Sequence, residues 1–212
     1  MVTESGRLEA LGSAAAGVAH DINNELTLML NHLAMADQNT PRVQALRAAA
    51  TRCAALTSGL LSYCRGDAPA MQSVEPCEFL RRYANSVEMP EAVHLRLDLP
   101  GALPALYADP AALRRVLDNL IANACHAMNQ AGRVTLRAFG TVIQVEDSGP
   151  GVEPASRSRV FQPFFTTKGS AGTGLGLAIV RDLMAQQGGA VSLLSEAGCG
   201  ACFELRFRPV VS

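Results

Sequence analysis

The sequence predicts a multidomain chain of α and α+β class: an antiparallel helical hairpin, completed to a four-helix bundle as a dimer, followed by a two-layer α/β sandwich. Three observations predict this. Up to about residue 66 the apolar residues recur in steps of three and four, the helical period. After residue 75, alternating and helical stretches take turns. Between them "RGDAPAMQSVEP", Arg65 to Pro76, holds breakers and no periodic pattern. The expected parts are therefore residues 1–66 for the hairpin, 67–75 for a linker and 76–212 for the sandwich.

In the hairpin, Leu8, Leu11, Ala15, Val18, Ile22, Leu26, Met29 and Leu33 form one seam. Leu46, Ala49, Cys53, Leu56, Leu60 and Tyr63 form a second. "DQNTPR" between them supplies polar breakers and a proline suited to a helix start, so the helices should run antiparallel. Two helices bury little apolar surface, and a narrow seam is completed by a second hairpin, which makes a homodimer the structural expectation.

In the sandwich, a helix is expected near Pro76 to Val87, then a strand "VHLRLDL" with Val93, Leu95, Leu97 and Leu99 on one face. Asp109 and Pro110 form an N-cap and first-turn pair for a helix running to about Asn129. "RVTLRAF" and "TVIQVED" pair as strands through Gly140, a short helix precedes Phe161, a longer one spans about Leu175 to Gln187, and two strands close the chain. Strands and helices in this order stack as two layers.

Composition excludes several classes. A net charge of -1 gives no basic excess for nucleic acid or an anionic membrane surface. No apolar run approaches the roughly 20 residues needed to span a bilayer, and "MVTESGRLEA" lacks the regions of a signal peptide, so a cytoplasmic chain is expected. Six cysteines, unevenly placed, read as reduced thiols. Cys199 and Cys202 form a CxxC, but no second pair completes four zinc ligands.

Chemistry concentrates in four stretches. His20 lies between seam positions Val18 and Ile22 and so points away from the seam, on a polar stripe with Asn24, Thr27 and Asn31 and with Asp21 alongside. An exposed imidazole beside a carboxylate is a usable nucleophile, because the carboxylate can take the departing proton. A solvated helix face accounts for the same residues. In "LDNLIANACHAM", Asn119 and Asn123 share a helix face opposite Leu117, Leu120, Ile121 and Ala124. Their carboxamide oxygens suit Mg²⁺, which takes the rest of its shell from water and phosphate. "VEDSGPG" ends a strand in Asp147, an acceptor for an exocyclic amine such as that of adenine, or else simply turns tightly. "GSAGTGLGLAIV" leads Gly172, Gly174 and Gly176 into a helix whose N-terminal amides attract phosphate. It matches neither the P-loop nor the dinucleotide fingerprint. Lys168 in "FQPFFTTKG" is the only lysine, a candidate phosphate contact. His32 and His94 read as surface residues and His126 as packing at a helix end.

In this order the stretches resemble the sensor histidine kinases of two-component systems, nearly end to end. "AGVAHDINNELT" is similar to the H box, "NLIANACHA" to the N box, "DSGPG" to the first glycine box, "FQPFFTTK" to the F box and "GTGLGLAIV" to the second glycine box. "GCGACFEL" is similar to the closing glycine turn of the same ATP-binding domain. The resemblance implies a GHKL-type ATP-binding sandwich using ATP and Mg²⁺. His20 would be the phosphoacceptor, Asp21 its acid/base neighbour, and Asn24 the position that orients water when a response regulator is dephosphorylated. Asn119 and Asn123 would hold Mg²⁺ and phosphates, Asp147 would read adenine, and Gly149 and Gly151 would shape the pocket. Gly172, Gly174 and Gly176 would form the phosphate loop and lid hinge, with a short lid from about Val152 to Ala171.

Two features refine that expectation. Related ATPases of the gyrase and MutL group carry a glutamate where this chain has Asn119, and a carboxamide cannot take a proton from water. Transfer to a side chain therefore fits better than hydrolysis. Glu25 stands where many members carry proline, so the built-in kink of that helix is absent. The implied partners are a response-regulator receiver domain, a second copy of the chain and an upstream sensor domain or protein. A histidine phosphotransferase relay with a decayed ATP domain is the alternative, and an ATPase-type clamp a further rival.

Overall fold

In a computed structural model of the chain, the described residues are 69–163, 165–167, 174–194 and 199–209, with scattered positions between Ile22 and Cys53. The chain divides into two compact units, Met1–Asp67 with Phe164–Leu175, and Ala68–Pro163 with Gly176–Ser212.

In the first unit Ile22, Leu26, Thr27, Met29, Asn31 and Leu33 are helical, as are Arg42, Val43, Leu46, Ala50 and Cys53. Leu26 and Ala50 are buried, but Ile22, Met29 and Leu46 are 42%, 54% and 58% exposed, so part of the expected seam stays open in the single chain. Thr27 and Asn31 are exposed, as their place on the polar stripe requires.

The second unit runs β1 (Gln72–Val74), α1 (Pro76–Ser86), β2 (Val93–Asp98), β3 (Leu106–Ala108), α2 (Pro110–Ala127), β4 (Gly132–Phe139), β5 (Val142–Asp147), α3 (Pro154–Arg157), α4 (Gly176–Gln186), β6 (Ala190–Leu193), β7 (Cys202–Arg206) and β8 (Arg208–Pro209). Five strands form one sheet in the order β2-β4-β5-β7-β6. β2 lies parallel to β4, and the remaining neighbours are antiparallel. Alternation decides the layering: Val134, Leu136, Ile143, Val145, Phe203 and Leu205 are buried. Arg137, Gln144, Glu146, Glu204 and Arg206 face the other way and pair among themselves. Helices α1, α2 and α4 lie against the strands of this sheet, and α2 also touches α4.

Helix α2 contributes more buried residues than any other described helix. Asp109 Oδ1 accepts the Ala111 and Ala112 amides at 2.8 and 3.2 Å, and Pro110 pre-sets the first turn. Leu113, Val116, Leu117, Leu120 and Ile121 are buried, each worth roughly 1.5–3 kcal/mol of transfer. Past Met128 the chain turns through Asn129 and Gln130, both with positive φ, to start β4. Tyr83 of α1 clamps α2 from the side: its hydroxyl donates to Asp118 Oδ1 at 2.8 Å, and the Arg114 guanidinium lies 5.5 Å over its ring. Burial, and then that carboxylate, push the Tyr83 phenol well above its usual value.

Three differences from the sequence expectation stand out. β1 falls inside the stretch expected as a linker, and with β3 and β8 it forms a second, three-stranded sheet. β2 stops before Leu99, whose successor Pro100 has no N–H to extend a ladder. His126 is exposed rather than packed. Among the described residues, no helix is long and apolar enough to cross a membrane.

Candidate functional site

Of the residues singled out above, Asn119, Asn123, Asp147, Gly149, Gly151, Gly174 and Gly176 are described; His20, Asp21, Asn24, Lys168 and Gly172 lie outside the described residues. Within the α/β unit, Asp147, Gly149, Asn119, Asn123 and Gly176 gather along one side of α2.

One end of this line is built by Asp147. It closes β5 and is only 5% exposed. Its Oδ1 accepts the Gly149 amide at 2.8 Å and the Ala201 amide at 3.1 Å. Its own amide donates to Ala201 O at 2.9 Å, so backbone on both sides fixes the carboxylate's direction. The approach is close enough to require glycine. A Cβ at Gly200 would stand 1.9 Å from Asp147 O, and one at Gly149 would stand 2.9 Å from Asp147 Oδ1. The turn also rests on the C-terminal end of α2, since a Gly149 Cβ would meet Met128 Cγ at 3.3 Å and Ala127 C at 3.6 Å. Ser148 ties it down by accepting the Arg133 amide at 3.0 Å and donating to Met128 Sδ at 3.3 Å. A carboxylate held this way is a directional acceptor for an amine.

The other end lies in the middle of α2. Asn119 Nδ2 donates to Arg115 O at 2.8 Å, which directs Oδ1 off the helix. The start of α4 sits over the pair, for a Cβ on Gly176 would lie 3.2 Å from Asn119 Oδ1 and 3.6 Å from Asn123 Nδ2. Two carboxamides beneath the amides of an 11-residue helix can serve an anion and the hard cation that accompanies it. Among the described residues no cluster of His, Cys, Asp or Glu could hold a metal by itself. A cation here would need oxygens from its ligand, and the donor chemistry of Asn119 Oδ1 fits that case.

In sequence, the stretch expected as a lid lies between the Asp147 turn and α4. Its first half is fastened to the α/β unit: Arg157 Nε donates to Val152 O at 3.1 Å and Arg181 Nη1 to Phe161 O at 3.1 Å. The Phe161 ring meets Phe203 edge-on at 6.2 Å. Gly151 and Gly174 both take left-handed backbone, φ 74 and 68.

Several supporting residues were not singled out from the sequence. Ala201, Ser148 and Met128 hold Asp147 and its turn, and only a pairing 54 residues apart reveals Ala201. His126 lies seven residues after Asn119, hence on the same helix face, and its hydrogen-bond contact is local to the helix. Its Nδ1 lies 2.7 Å from Ala122 O. Cys77, Cys125, Cys199 and Cys202 are free thiols. Burial, and next Glu146, push the Cys202 thiol up to about 11, so the free thiol stays protonated at neutral pH.

Comparison with known proteins places these features in a family. Residues 108–210 match the histidine kinase-, DNA gyrase B-, and HSP90-like ATPase family. The chain is 34% identical over 221 residues to the sensor histidine kinase ZraS of Salmonella typhi, covering 97% of this chain and 47% of that protein. It is 31% identical to the sensor kinase CckA of Brucella abortus, covering 96% of this chain and 25% of that protein. The chain thus spans about half the length of ZraS. Among solved structures, full-length ShkA in complex with AMPPNP superposes with a TM-score of 0.74 at 30% identity, over 94% of this chain and 47% of that one. The mycobacterial sensor histidine kinase MprB gives 0.55 at 25% identity, over 66% of this chain and 100% of that one.

Proposed function

The chain belongs to the sensor histidine kinase family, and on that premise we propose that it is an ATP-dependent protein-histidine kinase. The observation that carries this is the single line of groups along α2, with a buried, backbone-held Asp147 at one end and Asn119 and Asn123 under the α4 N-terminus at the other. Adenine would be read at the first end and the phosphates held at the second. A turn so closely built around Asp147 argues against a relay whose ATP domain has decayed.

Asp147 accepts from the adenine amine, and Gly149 and Gly151 let the backbone approach the base. Asn119, Asn123, Gly176 and, outside the described residues, Gly172 and Lys168 hold the phosphates, with Gly174 at the hinge of the loop. Mg²⁺ brought with the nucleotide supplies charge neutralisation on the phosphates. His20 attacks the γ-phosphorus through a ring nitrogen; the N–P bond forms, the bond to the bridging oxygen breaks and ADP leaves. Asp21 takes the imidazole proton. The phosphoryl group then passes to an aspartate of a response-regulator receiver domain, and Asn24 orients water for the reverse, phosphatase, activity.

The hairpin of residues 1–66 would pair with that of a second chain as a four-helix bundle, which the exposed Ile22, Met29 and Leu46 support. An upstream sensor domain or protein would supply the signal, and the cytoplasm the ATP. Incubating the chain with Mg²⁺ and γ-labelled ATP tests this: acid-labile label should appear on the wild type and not on His20→Gln. Label released only as free phosphate would instead mark an ATPase-type clamp and sink the kinase reading.

A further inference from the structure

Arg114 and Arg115 are adjacent in sequence and used in opposite ways. Arg114 is spent on the fold: Nη1 donates to Ser86 Oγ at 3.0 Å, Nε lies 3.9 Å from Asp118 Oδ2, and the guanidinium covers the Tyr83 ring. Arg115 is exposed, and its guanidinium makes no hydrogen bond or ion pair with a described residue. The nearest acid along the helix, Asp118, already accepts from Tyr83 and lies beside Arg114. A long cationic side chain with no charged partner among the described residues thus sits one turn before Asn119, on the same helix face.

The direction of the site gives this position a meaning. The Asp147 turn rests on Ala127 and Met128 at the C-terminal end of α2, while Gly176 covers Asn119 and Asn123 nearer its middle. Ala127 to Asn119 spans about 12 Å along the axis, and Arg115 lies about 6 Å further in the same direction. A nucleotide with its base at Asp147 and its first phosphates at the asparagines therefore points its terminal phosphate toward Arg115. We propose that the Arg115 guanidinium binds the γ-phosphate and stabilises the charge that develops on it during transfer, a role resting on the ATP-binding reading above. Guanidinium suits the task, since its planar fork pairs with two phosphate oxygens at once. The Arg115 carbonyl, which holds Asn119, is backbone and survives a side-chain substitution.

The test measures two quantities in Arg115→Gln, Arg115→Lys and, as a control, Arg114→Gln. The first is the ratio of affinities for a non-hydrolysable ATP analogue and for ADP, each with Mg²⁺. The second is the rate of labelling from γ-labelled ATP. Arg115→Gln should lower the analogue affinity while leaving ADP binding unchanged, and slow labelling on the order of 100-fold, the scale for losing one preorganised donor. Arg115→Lys should recover part of both. Arg114→Gln should lower thermal stability without altering the affinity ratio. An unchanged ratio in Arg115→Gln, or an equal loss of ADP and analogue binding, overturns the proposal. If the wild type is never labelled but the ratio still falls, the phosphate contact stands and the kinase reading alone fails.

Discussion

The two ends of the candidate site are built by different means. Around Asp147 the structure is backbone on backbone: two amides on one carboxylate oxygen, and Gly200 where no side chain fits. Around Asn119 and Asn123 it is side chains on one helix face, half-exposed and open to an incoming group. The first end is held rigidly by backbone contacts. The second is held through a side-chain bond, from Asn119 to Arg115 O.

The largest effect should come from breaking the backbone-held end. Gly200→Ala puts a Cβ on Asp147 O and places alanine at φ 84, so a loss of about 3 kcal/mol or more is expected, with loss of nucleotide binding. Denaturant melts and ADP titration read both. At the other end, Asn119→Ala should leave stability within about 0.5 kcal/mol, as for surface positions generally, while abolishing Mg²⁺-dependent labelling. Equal destabilisation by the two substitutions would erase the contrast between the ends.

A smaller effect is expected where α2 turns into β4. Gln130 holds φ 63, and Gln130→Gly should raise stability by about 1 kcal/mol, the cost of left-handed backbone for a side-chain-bearing residue. Smallest is a thiol effect. With its folded pKa raised from 9.0 to about 11, the Cys202 contribution to stability is whole below pH 9.0 and lost as pH rises toward 11. Alkylation at pH 8, followed by mass spectrometry, should modify the exposed Cys199 well before Cys202.

Local features were legible in the sequence and distant pairings were not. The Asp109 cap, the Asn119 and Asn123 face, and the turn after Asp147 each rest on residues within a turn or two of one another. β1, β3 and β8 have two or three residues each, too few to show a period. They exist because Gln72 meets Ala108 and Leu106 meets Pro209, contacts that no local pattern encodes. The same holds for Gly200 and Ala201. The sequence marks a glycine turn there, but only the sheet brings it under Asp147.

If, as proposed, a base is read at the Asp147 end before any phosphate chemistry begins, nucleotide binding must depend on that carboxylate. Titration of ADP and GDP with Mg²⁺ into the wild type and Asp147→Asn reads this most directly. Asparagine keeps an oxygen for the Gly149 and Ala201 amides, so the variant should fold normally and yet bind ADP about 10- to 100-fold more weakly, the range for one hydrogen bond to a charged group. The wild type should bind ADP and reject GDP. Equal binding of ADP and GDP by the wild type, or undiminished ADP binding by the variant, would contradict it.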